Sequence, residues 1–374
     1  MEKKICHVTS VHEFDDIRIF NKECRTLFQN GWNVFVLASA KDRAEFLKEG
    51  VHIVTIPARR TWRLLRMTRT VYEFYIEAIR LDCSIYHIHD PELLPMALLL
   101  HHKGKKIIYD VHEDVPRQIV NKKWLALPVR SIVAAIFERF ENWAVRHFDY
   151  IVTATEHITK RFIDLNQNTI TVCNYPLLEE FLDNLIITEQ DTRTFVYIGA
   201  INEVRGIMQM IDATAEVNAR LELAGEFETA QASENAKNRD GWKKVSFRGS
   251  LNRIQINQLL RGSVAGLVLL HPTPAYVHAL PVKLFEYMAA GIPVIASDFP
   301  LLQGIVNVTG CGFCVNPLNV EDICSAMQWI IENPAKAKEM GLKGRIAVLE
   351  QFNWTSEGKK LTAIYEGLLM GNNI

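Results

Sequence analysis

The stretch Leu280-Pro-Val-Lys-Leu-Phe-Glu-Tyr-Met-Ala-Ala-Gly-Ile-Pro-Val-Ile-Ala-Ser-Asp298 sets a cation and a carboxylate three residues apart. Pro281 suits a first helical turn and Gly291 a C-terminal cap. Lys283 and Glu286 therefore share one face of the first two turns of a predicted helix. A helix N-terminus attracts anions, and Lys283 adds a full positive charge there. Glu286 can accept two hydroxyl hydrogen bonds, as a ribose 2′,3′-diol would offer. A solvated ion pair on a helix surface is the alternative reading.

Three further groups carry residue types that do chemistry. His89 and His112 each end a predicted strand, next to Asp90 and Glu113. His87 and His89 alternate onto one strand face, as two metal ligands do, but no third ligand has a recognisable spacing. No metal site is expected. Arg59–Arg69 concentrates five arginines around Trp62, Leu64, Leu65 and Met67. Such a segment can lie on anionic lipid headgroups or form a solvated basic helix face. Cys311 and Cys314 form a lone C-x-x-C that reads as a turn entering a strand.

Positioning these residues requires a regular alternation of strands and helices. Predicted strands cover Lys4–Ser10, Asn33–Ser39, His52–Ile56, Ser84–Asp90, Lys106–Glu113, Tyr150–Thr155 and Thr169–Asn174. Between them lie helical periods at Ile17–Asn30, Trp62–Leu81, Glu92–Lys103 and Ser131–Phe148. The first shows Ile17, Phe20, Cys24, Leu27 and Phe28 on one face; the last shows Val133, Ile136, Phe137, Phe140, Trp143 and Ala144. A second cycle has strands at Thr194–Ala200, Arg220–Ala224, Lys244–Arg248, Ala265–Leu270, Pro293–Ser297 and Phe313–Val315. This rhythm means parallel sheets with helices on both faces. The fold class is α/β, with two Rossmann-like domains facing an interdomain cleft. The expected domains are 1–180 and 181–352, with a C-terminal helix over 353–374 packing back toward the first. The acidic, weakly periodic segment Glu179–Asp191 reads as the linker. Ligands in such sheets bind beyond the carboxyl ends of the strands.

Composition narrows the function classes. The chain has 374 residues, with 42 Lys+Arg against 43 Asp+Glu. That balance argues against a nucleic-acid partner, whose binding domain is normally basic. No run reaches the ~18 apolar residues of a membrane span. The polar turn after the first few residues argues against a signal peptide, which needs ~7–15 apolar residues. Seven scattered cysteines, an odd number, fit reduced thiols in a cytoplasm. Neither G-x-G-x-x-G nor G-x-x-x-x-G-K-[ST] is present, which weakens dehydrogenase and P-loop readings.

The Leu280–Asp298 stretch resembles the signature of the retaining glycosyltransferases of family 4, which have the GT-B fold. Gly199-Ala-Ile-Asn-Glu-Val-Arg-Gly206, Phe247-Arg-Gly-Ser-Leu and Phe352-Asn-Trp-Thr resemble that family's C-domain turns and the opening of its last helix. His12-Glu-Phe-Asp-Asp-Ile-Arg-Ile, His87-Ile-His-Asp-Pro-Glu-Leu-Leu-Pro and Tyr109-Asp-Val-His-Glu-Asp resemble its acceptor-side loops. The resemblance implies that Arg205 and Lys283 hold a donor diphosphate, with Gly199, Gly249 and Leu284 around it and Glu286 on the ribose. His278 stands where the family's Glu-x7-Glu motif has its first glutamate. Ala200 stands where the family has its first basic residue. His89 and His112 are expected to hydrogen-bond the donor sugar near its anomeric centre. His12, Asp16, Arg18, Asp90, Glu113 and His278 are expected to bind substrate.

The implied activity is metal-independent, retaining transfer from a nucleotide-diphosphate sugar to a glycan or lipid-linked acceptor, in surface polysaccharide synthesis. No cofactor is expected. The expected place is the cytoplasm, peripherally at the inner face of the membrane. A GT-B sugar-nucleotide epimerase and a non-catalytic sugar-nucleotide binding protein are the alternatives.

Overall fold

The computed structural model describes residues 3–57, 63–121, 127–185 and 193–370. The chain divides into two compact units, Met1–Asn174 with Ser356–Ile374, and Tyr175–Thr355.

The first unit is built on eight strands: β1 (Lys4–Thr9), β2 (Asn33–Ala40), β3 (Ala44–Lys48), β4 (Val51–Pro57), β5 (Ile85–Ile88), β6 (Lys106–Val111), β7 (Tyr150–Thr153) and β8 (Thr169–Thr171). Their order in the sheet is β3-β4-β2-β1-β5-β6-β7-β8. Neighbours run parallel except β3, which pairs antiparallel with β4 at the edge. That edge strand is absent from the sequence expectation. Glu45, Phe46 and Leu47 are all exposed, so no alternating core face announces it. The central strands read as nearly continuous apolar runs because helices cover both faces. His7 on β1, His87 on β5 and Asp110 on β6 interrupt those runs while fully buried. His7 and His87 are register partners.

Two helices of this unit depart from the expected pattern. Ile17–Asn30 is not a single α-helix: Ile17–Cys24 is a π-helical turn, followed by a short α-helix at Arg25–Gln29. Asp16 caps it by accepting from the Arg18 and Ile19 amides at 2.8 and 3.0 Å. The wider i→i+5 period brings Arg18 and Glu23 onto one side, with Arg18 Nε 2.9 Å from Glu23 Oε1. Ile17 of the expected stripe is exposed as a result. In the helix Leu127–Ala144, Phe137, Phe140 and Ala144 pack on the core. Val133, Ile136 and Trp143 of the same expected face are exposed instead.

The second unit has six parallel strands: β9 (Thr194–Ile198), β10 (Arg220–Ala224), β11 (Val245–Gly249), β12 (Ala265–Val268), β13 (Val294–Ser297) and β14 (Gly312–Val315), in the order β11-β10-β9-β12-β13-β14. The segment expected as a linker begins as a 3₁₀ helix, Leu178–Leu185. Phe181 is buried in this unit's core, and Glu180 pairs with Arg253. The rest of that segment, 186–191, lies outside the described residues, as do Arg59–Trp62 of the basic segment. The helix Trp354–Met370 returns to the first unit, where Glu357 accepts a hydrogen bond from the Cys173 amide at 2.9 Å.

In each sheet the strand order reverses direction once, between β1 and β5 and between β9 and β12. Such switch points are where the carboxyl ends of parallel strands open a crevice for ligand. No described helix is long and apolar enough to cross a membrane.

Candidate active site

At the switch point of the second unit, β9 ends and the chain turns at Gly199 with φ +114°. A β-carbon there would stand 3.1 Å from Lys283 Nζ and 3.9 Å from Arg205 Nη1. Gly225, at the end of β10, lies so close behind that its own β-carbon would meet Gly199 O at 2.0 Å. Its amide donates to Gly249 O at 2.8 Å. The ends of β9, β10 and β11 thus form a glycine tier, and Gly249 belongs to it.

Arg205 closes a 3₁₀ turn, Glu203–Arg205, whose cap Asn202 accepts from the Arg205 amide at 2.9 Å. Its Nε donates to the Tyr276 hydroxyl at 3.3 Å. Lys283 sits in the first turn of the helix Val282–Ala290, next to Pro281. Its Nζ stands 3.6 Å from the centroid of the Tyr197 ring and has no hydrogen-bond partner among the described residues. Burial, and then the Arg205 cation, push Lys283 well below its ordinary value. Burial also pushes the Tyr197 phenol up to about 12, so it stays neutral and donates to Ala200 O at 2.6 Å. A buried lysine amine with no hydrogen-bond partner among the described residues, beside a guanidinium, keeps its proton at a cost that a bound anion would offset.

Glu286 shares the helix face with Lys283. Its Oε1 accepts from Arg253 Nη1 at 2.7 Å, and Arg253 also pairs with Glu180. Leu284 points the other way, fully buried in the core, and its amide donates to Pro281 O at 3.0 Å. Its side chain therefore anchors the helix. His278 lies in the turn that leads to Pro281.

In the first unit the expected substrate residues separate into two sets. Arg18 is buried, donating twice to Asp110 at 3.0 and 3.1 Å and to Val172 O at 2.9 Å. It is a pin within the unit rather than a residue facing ligand. Asp90 is also buried: its Oδ2 accepts from the Thr9 hydroxyl at 2.8 Å and the Ser10 amide at 2.6 Å. It fixes the loop after β1. His89 has no exposed side-chain surface, and both ring nitrogens are engaged, Nε2 with His7 Nδ1 at 2.9 Å and Nδ1 with His112 Nε2 at 3.2 Å. Its expected direct contact with a sugar is not available in this arrangement.

The second set keeps exposed surface. His112 is 20% exposed and His12 38% exposed, with ring centroids 5.7 Å apart. Burial pushes His112 down to about 4, so its ring is neutral at physiological pH. Asp16, 3.6 Å away, holds His12 above its ordinary value. Glu113 is exposed at the end of β6.

Sequence reasoning missed Arg253, Tyr197 and Tyr276 in the second unit and His7, Glu23, Asp110 and Tyr365 in the first. Only Asp110 carried a local signal, because it lies within Tyr109-Asp-Val-His-Glu-Asp. The others reach their partners through the sheet topology.

The profile described as "Glycosyl transferases group 1" matches residues 183–346, and that described as "Glycosyltransferase Family 4" matches residues 21–174. The chain belongs to glycosyltransferase family 4. Over 94 residues this glycosyltransferase is 28% identical to the MMP alpha-(1->4)-mannosyltransferase of Mycolicibacterium hassiacum, covering 25% of this chain and 23% of that protein. It spans less than half the length of the first curated relatives it matches. The GT-B fold is shared with sucrose-phosphate synthase from Thermosynechococcus elongatus, at 17% identity and a TM-score of 0.80 over 99% of this chain and 100% of that one. It is also shared with Anabaena HepE, whose structure was solved with UDP-glucose, at 12% identity and a TM-score of 0.70 over 97% and 99%.

Proposed function

We propose that this glycosyltransferase moves a sugar, with retention, from a nucleotide-diphosphate donor to a glycan or lipid-linked acceptor, without a metal at the diphosphate. The observation that carries this reading is Lys283, buried, without a hydrogen-bond partner among the described residues and set beside Arg205 at the open side of Gly199. Two cations there match the two negative groups of a diphosphate. Glu286, one helical turn further on, suits the ribose diol. During transfer the bond from the anomeric carbon to the diphosphate oxygen breaks as the acceptor oxygen bonds to the same face. The acceptor proton passes to the leaving phosphate oxygen. Arg205 and Lys283 then stabilise the charge that grows on that phosphate, which is where preorganised cations lower a barrier most. No protein nucleophile is required. HepE, of the same fold, supports a nucleotide-sugar donor by the ligand it was solved with.

The role proposed is in surface polysaccharide synthesis at the inner face of the membrane, and of this the contact with a membrane surface is what the helix Leu127–Ala144 supports. It exposes Ile132, Val133, Ile136 and Trp143 and also carries Arg130 and Arg139. Such a face suits an interface of lipid headgroups and acyl chains.

The test is incubation with UDP-, GDP- and ADP-sugars chosen by thermal shift, followed by NMR of the products. Transfer or slow hydrolysis with the donor's anomeric configuration kept is the expected outcome. Isomerised donor alone would make the chain an epimerase. Binding without turnover would make it a sugar-nucleotide carrier.

A further inference from the structure

The first unit holds a constellation that the transfer chemistry does not use. His7 on β1, His87 on β5, His89 just beyond it and Glu23 on the π-helical turn each present one ligand atom, all within 4.8 Å of one another. All four side chains are completely buried or nearly so. His7 Nδ1 and His89 Nε2 are 2.9 Å apart, and Glu23 Oε2 lies 3.6 Å from the first and 3.8 Å from the second. A tetrahedral zinc ion, with bonds of about 2.0–2.2 Å to nitrogen and oxygen, spaces its ligand atoms roughly 3.3–3.5 Å apart. The three observed separations straddle that spacing.

The remaining atoms are disposed as a metal would need them. Neither Glu23 oxygen accepts a hydrogen bond among the described residues, and His87 Nε2 is likewise buried without a hydrogen-bond partner. Arg18 Nε lies 2.9 Å from Glu23 Oε1, but its hydrogen bond goes to Asp110. Each histidine uses its other ring nitrogen on an outer group. The Tyr365 hydroxyl takes His87 Nδ1 at 2.7 Å and His7 Nε2 at 3.2 Å. His89 Nδ1 meets His112 at 3.2 Å and Asp110 at 3.5 Å. Outer partners of this kind orient and polarise metal-bound imidazoles. With Glu23 ionised as a ligand, it and Asp110 would set two negative charges against the single charge of Arg18. Buried charges of that kind are compensated by pairing or by a metal.

We propose that His7, Glu23 and His89, with His87 Nε2 as fourth ligand, bind one divalent transition-metal ion in the interior of the first unit. The N₃O donor set and the tetrahedral spacing select zinc, and four protein ligands make the site closed and structural. Its role is to tie β1, β5 and the Ile17–Cys24 turn to the helix that carries Tyr365. It is separate from the diphosphate cations of the second unit.

The experiment uses the full, untagged chain, expressed with zinc in the medium and dialysed extensively. Elemental analysis is expected to return about one zinc per chain. After stripping, Co²⁺ is expected to restore the visible bands of a tetrahedral cobalt site. Glu23→Gln and His7→Asn should each lose at least ~100-fold in zinc retention, and Tyr365→Phe about 10-fold, as an outer partner does. The surface change His102→Asn should retain the ion. Wild-type protein that holds and takes up no stoichiometric zinc or cobalt would overturn the proposal, leaving Glu23 protonated in a hydrogen-bonded cluster. Ligand variants that retain zinc as the wild type does would overturn it equally. If those variants fail to fold, the wild-type stoichiometry and cobalt spectrum decide alone.

Discussion

The space left empty by Gly199 is the space toward which Lys283 points: a β-carbon there would stand 3.1 Å from Lys283 Nζ. Gly199 also holds φ +114°, where an L side chain is strained. Gly199→Ala is therefore expected to displace the ammonium and lower kcat/KM at least ~10-fold, since small misplacements of binding groups are costly. Steady-state kinetics checks this, with circular dichroism to verify the fold.

Lys283 should couple donor binding to protons. Its value in the folded, donor-free protein lies well below the 10.5 of an unfolded lysine, through burial and then the Arg205 charge. Between the lowered value and 10.5 the unfolded chain binds the extra proton, so stability rises with pH across that window. Below it the full cost of burying the charge applies. Lys283→Met should accordingly raise the melting temperature of the donor-free protein at neutral pH while nearly abolishing transfer. Donor affinity should fall as pH rises through the lowered value, because a bound diphosphate favours the protonated amine. Calorimetry in buffers of different ionisation enthalpy should show proton uptake on binding. No uptake, together with a melting temperature unchanged in the variant, would refute this assignment.

Glu286→Ala should cut activity at least ~100-fold, by loss of ribose hydrogen bonds and misplacement of the donor. Arg253→Gln should instead raise the donor KM more than it lowers kcat, because Arg253 only orients Glu286 through a 2.7 Å bond. Wild-type kcat/KM in a folded Glu286→Ala protein would remove the ribose role.

Arg205→Ala is expected to slow transfer more than it weakens donor binding, since leaving-group charge is greatest in the transition state. Omitting Mg²⁺ and Mn²⁺, or a brief EDTA treatment that a closed interior site outlasts, should leave the wild-type rate unchanged. Activity lost in EDTA and restored by Mg²⁺ or Mn²⁺ would sink the metal-free transfer.

Vesicles containing anionic lipid should sediment the protein better than neutral ones, and less well as salt rises, because screening acts over ~10 Å at 0.1 M. Ile132→Asp with Ile136→Asp should reduce binding through lost insertion. Arg60, Arg63 and Arg66 changed to Gln should reduce it through lost charge. Equal binding to both vesicle types would remove the role of the arginines, and no binding at low salt would return both segments to ordinary solvated surface.

The central strands of both sheets were legible because buried parallel strands leave nearly unbroken apolar runs. Lys283 and Glu286 were legible for a different reason: one helix face sets their relation locally. Arg253 reaches Glu286 from 33 residues away, and His7 reaches His89 from 82, so only the sheet order brings them together. Arg18 and Asp90 could not be told apart from ligand-facing residues, because in sequence a charged residue looks the same whether it meets a ligand or pins the fold. Their partners, Asp110 and Thr9, lie 92 and 81 residues away and decide the matter.

The bond between Tyr365 and His7 spans 358 residues of sequence. The first unit therefore lacks one of its own interior groups until the helix Trp354–Met370 has been synthesised, whereas the second unit is one uninterrupted segment. Domains ordinarily complete themselves from the N-terminal end during synthesis. Here the later-encoded unit has all of its own segments in hand before the earlier one does, and the earlier one waits for the helix that carries Tyr365.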